Sequence, residues 1–536
     1  MTERVVVVGG GVAGLATAAL LARGGAHVTL LERHDEVGGR AGRLEVDGFT
    51  FDTGPSWYLM REAFEHFFAL LGRDVSQELE LVDLETRYRV FFEGHRDPLD
   101  ITVDAERNWA AFDALSPGDG AAMRAYAARA GDRYRLALDK FLYTTFERPT
   151  RSLDAQTVRR LPELAGLLTQ SLQGSIEKSV ADPRLRQVLG FHAVFLGSAP
   201  ERLPALFSLM SHLDLDEGVS YPKGGLYAVV EALARVAQDE GVEIRTGATV
   251  TRIRVDRGRA TGVELADGTV VDAAAVVSGA DMHHTETALL EPQFQSRPER
   301  TWRHKRPGVS ALLVMAGVEG ELPELAHHTL LFTRDWESNF TAIMDDLTVP
   351  DPASIYLSRT TATDPTTAPP GHENLVMLVP FPSDPSLGAT ARSRANLDAS
   401  IGRYLTQVGE WAQIPDLPAR TSIKKVLNPH YFATELNAWR GGALGLEHSL
   451  RQSAMFRPSN VSSKVSNLLY AGASTAPGIG VPICLISAEL VAKRLLGATG
   501  PSPLNTPLPH GYLARSRRTD AWGALARDLA AQTETV

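Results

Sequence analysis

The segment that most restricts the fold is Val5-Val6-Val7-Val8-Gly9-Gly10-Gly11-Val12-Ala13-Gly14. Four β-branched residues in a row predict a strand buried on both faces. The Ala/Leu-rich run that follows, to about Arg23, predicts a helix. The glycines between them have separate tasks. Gly9 permits the tight strand-to-helix turn, Gly11 lets backbone approach a pyrophosphate, and Gly14 lets the helix pack closely on the sheet. The helix N-terminus then offers free N–H groups and a positive pole to the phosphates. A second strand, His27 to Leu31, ends at Glu32. A carboxylate there accepts hydrogen bonds from an adenosine ribose diol and repels a 2′-phosphate. The pattern predicts a dinucleotide site that disfavours NADP.

Two further glycine clusters separate FAD from NAD. Val37-Gly38-Gly39-Arg40 and Phe51-Asp52-Thr53-Gly54-Pro55 follow the acidic position. An NAD dehydrogenase has no need of them, whereas a longer flavin cofactor needs chain crossing close to its ribityl group and ring. Arg40 offers a guanidinium to phosphates or flavin. The run Leu469-Tyr470-Ala471-Gly472 through Gly478-Ile479-Gly480-Val481-Pro482 fits the same expectation. Its glycines bring backbone to the ring edge, and Pro482 suits the first turn of a helix. The positive end of that helix stabilises the negative charge of a reduced flavin.

The length of 536 residues allows two to four domains. A net charge of −10 argues against a nucleic-acid partner. The single cysteine, Cys484, excludes an internal disulfide and a cysteine-based zinc site, and no metal is expected. Two apolar stretches, Val5 to Ala22 and Val465 to Ala488, are interrupted by glycine or proline and do not suit membrane spans. The chain therefore reads as cytoplasmic, soluble or peripherally attached. From Arg61 to Ser220 the pattern is mostly helical, with stripes Phe64/Phe67/Phe68/Leu71 and Leu161/Leu164/Leu168/Leu172/Ile176. Strands return at Val242 to Ile244, Thr249 to Val255 and Ala273 to Ser278, with turns at Arg257-Gly258 and Asp267-Gly268. Thr360 to Pro370 is expected to be an exposed excursion, and Ala498 to Pro509 a linker.

The expected fold class is α/β, a Rossmann-like FAD-binding domain. It is assembled from 1–60, 221–295 and 440–497. An inserted α+β substrate domain takes 61–220 and 296–439, and 498–536 forms a linker and tail.

Beyond these clusters stand Phe191-His192, Tyr221-Pro222-Lys223-Gly224-Gly225, Leu436-Asn437-Ala438-Trp439-Arg440-Gly441 and Gln452-Ser453-Ala454-Met455-Phe456-Arg457-Pro458. With them the chain resembles the bacterial and fungal type of phytoene desaturase, flavin-dependent enzymes of carotenoid biosynthesis, up to about Gly497. The resemblance implies a fold of the amine-oxidase and GDI-like type, FAD as sole redox cofactor, a linear C40 polyene (or its C30 relatives) as substrate, and successive dehydrogenations. Carried onto this sequence, the cofactor residues are Gly9, Gly11, Val12, Ala13, Gly14, Glu32, Arg33, Gly38, Gly39, Arg40, Gly54, Pro55, Ser56, Val250, Gly472, Gly480, Val481 and Pro482. Related sequences often carry His where Ala476 stands.

No catalytic base declares itself. His192 sits in an apolar run and His283-His284 on an expected loop; Asp154 and Arg159 are further candidates suggested by the resemblance. The Phe64 stripe suits either a tunnel or the core. An insoluble polyene must load from a bilayer, and Arg515, Arg517 and Arg518 before Trp522, Leu525 and Leu529 allow a basic amphipathic tail helix. With no second dinucleotide motif, oxygen or a membrane quinone is the expected electron acceptor. An amine oxidase, a carotenoid isomerase or saturase, and a flavin-free prenyl-binding chaperone share the fold and stay open.

Overall fold

Val5 and Val7 face one side of the first strand, Arg4–Val8, and Val6 and Val8 face the other; the two sets belong to two separate buried cores. That period of two explains the four-valine run, since a central parallel strand must be apolar on both faces. The computed structural model describes residues 3–147 and 159–514. In it the strand is the centre of a five-stranded parallel sheet, ordered Leu468–Tyr470, Ala275–Ser278, Arg4–Val8, His27–Leu31, Glu243–Arg245. Val6 pairs with Val276 on one side and Thr29 on the other, and Val277 continues the register to Leu469.

Helices Val12–Arg23, Tyr227–Asp239 and Val481–Leu496 pack together on one face. The other face is covered by an antiparallel hairpin sheet, Val250–Asp256, Arg259–Leu265 and Val270–Asp272. The two expected turns, at Arg257-Gly258 and Asp267-Gly268, join its strands.

A seven-stranded, mostly antiparallel sheet forms the second layer system. Its order is Thr421–Leu427, Ser310–Glu319, His372–Phe381, Ile355–Ser358, His328–Phe332, Thr86–Phe92, Leu99–Thr102. The 21-residue helix Ala391–Trp411 covers one face through Leu397, Ile401, Tyr404 and Val408. Helices from the 105–215 region gather at the other end.

Several expectations are decided in three dimensions, some of them against the sequence reading. Phe64, Phe67, Phe68 and Leu71 fill the core shared with the five-stranded sheet and do not line the molecule's large cavity. The Leu161-to-Ile176 stripe is two helices, Leu161–Thr169 and Leu172–Glu177, because Ser171 caps the second by accepting from Gly174 N–H. Thr360 to Pro370 is an excursion only in part: Ala362, Pro365, Thr366 and Pro370 are exposed, whereas Thr360, Asp364 and Thr367 are buried and Asp364 accepts the Gly224 amide at 3.0 Å. Residues 498–514 lie against the nucleotide domain, with Leu508, Tyr512 and Leu513 in its core. Lys493 fastens the start of this segment by donating to the Gly500 and Ser502 carbonyls at 2.8 and 2.6 Å. Asp154 and the basic tail from Arg515 lie outside the described residues. Among the described residues no helix is long and apolar enough to cross a membrane.

Candidate cofactor and substrate site

The glycines of the first turn do what the sequence requires. Gly9 has φ +97°, and a Cβ on Gly14 would stand 1.9 Å from the Gly9 carbonyl oxygen. Gly11 is different: nothing lies closer than 3.8 Å to the place of its Cβ. Gly14 is needed for packing, and Gly11 leaves the wall open to a ligand. The second cluster closes on the first, with Gly38 N–H donating to the Gly10 carbonyl at 2.9 Å. A Cβ on Gly54 would sit 1.9 Å from the Arg40 carbonyl oxygen, which explains the glycine after Asp52-Thr53.

Glu32 is 5% exposed and faces the same space. Its two oxygens accept from Gly10 N–H at 2.6 Å and His34 N–H at 2.9 Å. The carboxylate is thereby fixed, with lone pairs left for a ribose diol. Asp52 acts differently: it accepts from Leu226 and Tyr227 N–H at 2.8 and 3.0 Å and so caps the helix Tyr227–Asp239. Burial pushes its carboxyl up to about 6, against those hydrogen bonds. Arg40 reaches Asp281 at 3.5 Å, and Asp281 caps the short helix Met282–Thr287 through His283 N–H.

The third cluster forms the opposing wall. Arg457 is buried and has no ion pair among the described residues. Its guanidinium donates to the carbonyls of Leu446, Gln452, Ala473 and Thr475 at 2.5–3.1 Å. Burial pulls its pKa down to about 9, so at neutral pH it remains a cation. His448 stands beside it, its Nε2 accepting from Ile479 N–H at 3.2 Å and its Nδ1–H directed at Ser453 Oγ, 3.3 Å away. Burial and the Arg457 charge hold this imidazole neutral. A Cβ on Gly478 would meet the ring at 2.3 Å. The helix Val481–Leu496 begins here with no acidic residue in its first turn, so its positive pole is uncompensated.

The three clusters line one cavity of about 1240 Å³, most of its wall apolar. That exceeds the usual range for a single small ligand, about 300–1000 Å³. One part is bounded by the glycines and Glu32. The other is bounded by Trp57, Phe191, Phe195, Phe207, Phe332 and Trp336. Trp57 stacks on His328 with ring centroids 4.6 Å apart. Burial holds His328 neutral, and its Nδ1 pairs with the Tyr356 hydroxyl at 2.8 Å, which donates onward to Ser56 Oγ at 3.1 Å. His328 Nδ1, the Tyr356 hydroxyl and Ser56 Oγ thus satisfy one another, while His328 Nε2 and Trp336 Nε1 are buried with no hydrogen-bond partner among the described residues.

Of the expected cofactor residues, Gly9, Gly11, Val12, Ala13, Glu32, Arg33, Gly38, Gly39, Arg40, Gly54, Pro55, Ser56, Val250, Gly472, Gly480, Val481 and Pro482 all line the cavity. Gly14 lies behind it. His192 does not line this cavity and sits buried 3.2 Å from Asp214, which also accepts from Tyr88. His283 is on a helix and pairs with Glu299, while His284 does reach the cavity wall. Arg159 is exposed and away from it. Cys484 lines the cavity in the first helical turn, its thiol pushed up to about 11 by burial. Ala476 is buried and lines no part of the cavity. Sequence reasoning missed Trp57, Asp281 and His448; Trp57 directly follows the Gly54-Pro55-Ser56 motif and His448 stands four residues before the Gln452 motif, so both had a sequence signal nearby.

Comparison with known proteins agrees with this geometry. Residues 12–496 match the family model described as flavin containing amine oxidoreductase. A carotenoid 3,4-desaturase of Haloarcula japonica is 39% identical over 92% of this chain and 98% of its own length. A zeta-carotene-forming phytoene desaturase of Myxococcus xanthus is 35% identical over 92% and 94%. Among solved structures, an oxidoreductase from Methanosarcina mazei superposes with TM-score 0.59 at 19% identity, covering 91% of this chain and all of its own; this likeness shows the fold. Three glycine clusters on one cavity, full-length matches and a shared fold lead to one assignment: the chain is an FAD-dependent oxidoreductase of the carotenoid and phytoene desaturase family, within the flavin-containing amine oxidoreductases.

Proposed function

We propose that the protein is a desaturase of carotenoid biosynthesis that withdraws hydride and proton from a linear C40 polyene, or a C30 relative, to extend its conjugation. The observation that carries the proposal is the continuity of the cavity, one space lined both by the glycine clusters and by the aromatic residues, with a mostly apolar wall. FAD supplies the two-electron acceptor for a hydride. Glu32 would hold the ribose, the Gly11 wall and the helix N-terminus would receive the pyrophosphate, and the Gly472–Pro482 wall would face the ring. Arg457 and the helix pole keep that wall positive, where negative charge must accumulate on reduction. Trp57, Phe191, Phe195 and Phe207 exclude water from a carbon that becomes cation-like as hydride leaves. His448, with Nε2 already engaged by Ile479 N–H, orients the wall. Oxygen or a membrane quinone reoxidises the cofactor, and the site of action is the cytoplasmic face of a membrane, to which the protein attaches peripherally.

A second reading changes the step. The relative from Haloarcula japonica is a 3,4-desaturase, which favours an already conjugated acyclic carotenoid over phytoene. Expression in two hosts, one accumulating phytoene and one accumulating lycopene, separates the two. New coloured polyenes in the phytoene host support the first reading. A red-shifted pigment in the lycopene host alone supports the second, and no change in either rejects both.

A further inference from the structure

We propose that the mouth of the cavity docks on an anionic lipid bilayer, through an apolar rim of Leu168, Leu450, Met455 and Phe456 beside the cationic segment Arg300–Arg306 and Arg451. This rests on the proposed polyene substrate, which has to leave a membrane to reach the cavity.

Eight large apolar side chains are left exposed among the described residues, and four of them line this one cavity. Met455 and Phe456 are each 57% exposed, Leu450 38% and Leu168 37%. Scattered single apolar residues need no explanation, but a group around the opening of an apolar chamber does. The other four, Val103, Val270, Leu347 and Ile423, line no part of it.

The cations give the rim its partner. The chain carries a net charge of −10, yet 300–306 holds Arg300, Arg303, Lys305 and Arg306 and no acid. Arg300, Arg303 and Arg306 are exposed, and Arg451 is exposed next to Leu450. Arg300, Arg303, Lys305 and Arg451 form no ion pair among the described residues, while Arg306 meets Asp345 at 3.8 Å. The Arg306 end of the segment is fastened to the rim. Gln452 accepts from Arg306 N–H at 3.0 Å and donates to the Arg306 carbonyl at 3.1 Å. Pro307 bridges Leu446. Apolar side chains that enter the acyl boundary beside unpaired cations match an anionic headgroup surface. A protein partner would more commonly bury a flat apolar patch than one perforated by a cavity mouth.

The test uses the full-length flavoprotein and co-sedimentation with phosphatidylcholine vesicles, with and without phosphatidylglycerol. Wild type should bind the phosphatidylglycerol vesicles far more tightly, and less so at high salt. Each cation near such a surface contributes about a fivefold gain, so Arg300→Gln with Arg303→Gln should weaken binding about thirtyfold. Met455→Ser with Phe456→Ser should reduce binding to both vesicle types. Flavin bleaching by a polyene delivered in detergent micelles should stay at the wild-type level in the Arg300→Gln/Arg303→Gln protein, while bleaching by vesicle-borne polyene falls. Equal binding of wild type to both vesicle types would overturn the proposal. Wild-type binding by both double variants would also overturn it, placing the contact elsewhere, residues 515–536 included. Conversion of a dimer to a monomer by the Met455/Phe456 changes would overturn it in favour of a second copy. If wild type binds as expected yet no polyene bleaches the flavin even from micelles, the docking surface stands and the substrate assignment fails.

Discussion

Glu32 accepts two backbone N–H groups at once, so exchanging it removes more than a ribose partner. In Glu32→Arg, Gly10 and His34 lose a charged acceptor, each such bond being worth about 1.5–3 kcal/mol, and a cation replaces the anion that receives the diol. The purified variant should retain less than about a tenth of the wild-type flavin, read from its visible absorbance; full flavin content would remove Glu32 from the ribose site. Arg457 raises the complementary question at the opposite wall. Arg457→Met leaves four carbonyls without a donor, each costing about 1–3 kcal/mol if water cannot reach it. A loss of at least about 3 kcal/mol in unfolding free energy is expected, together with a loosened Gly472–Thr475 wall and weaker flavin retention. Arg457→Lys should restore only part of this, since an ammonium has three donors and no planar fork. Equal stability of the Met and Arg proteins would show that water already satisfies those carbonyls.

Helix ends and turns decide which elements were readable beforehand. The strand–turn–helix at Val5 to Arg23, the strand His27–Leu31 and the final strand–helix at Leu468 to Leu496 follow from local pattern, because each carries its own periodicity and its own glycine or proline punctuation. The seven-stranded sheet carries no such signal: Thr86–Phe92 pairs in parallel with His328–Phe332, more than two hundred residues away. His448 and Trp57 became wall residues only through such distant pairings. The Phe64 stripe is equally compatible with tunnel and core until a partner face is known, and the core won. Asp52 shows how a motif residue acts through an element. Asp52→Ala uncaps Tyr227–Asp239 and should cost about 1–3 kcal/mol, seen as a lower thermal midpoint.

His212 is the element-level test in pH. Hydrogen bonds that its ring N–H groups donate to the Asp216 and Glu217 carboxylates raise the pKa of its imidazolium to about 9. Because the folded value lies above the unfolded one of about 6.5, its contribution is fully present below about pH 6.5. It is lost as pH rises through about 9. The thermal midpoint should therefore fall across that window, and His212→Gln should flatten the slope there. An unchanged slope would remove this pair from the account.

At the scale of the whole molecule, the nucleotide sheet is completed only when strands from residues 4–8, 27–31, 243–245, 275–278 and 468–470 meet. The inserted sheet and helices supply the aromatic half of the cavity. Neither half is a site alone: one lacks a chamber for a long substrate and the other lacks a redox partner. The most direct test mixes the oxidised flavoprotein anaerobically with a micellar acyclic carotene, and separately with a primary amine, and follows the flavin absorbance and the mass of the organic product. The account predicts bleaching by the carotene alone, with one carotene losing two hydrogens for each flavin reduced. Bleaching by the amine, with the carotene unchanged, would contradict it.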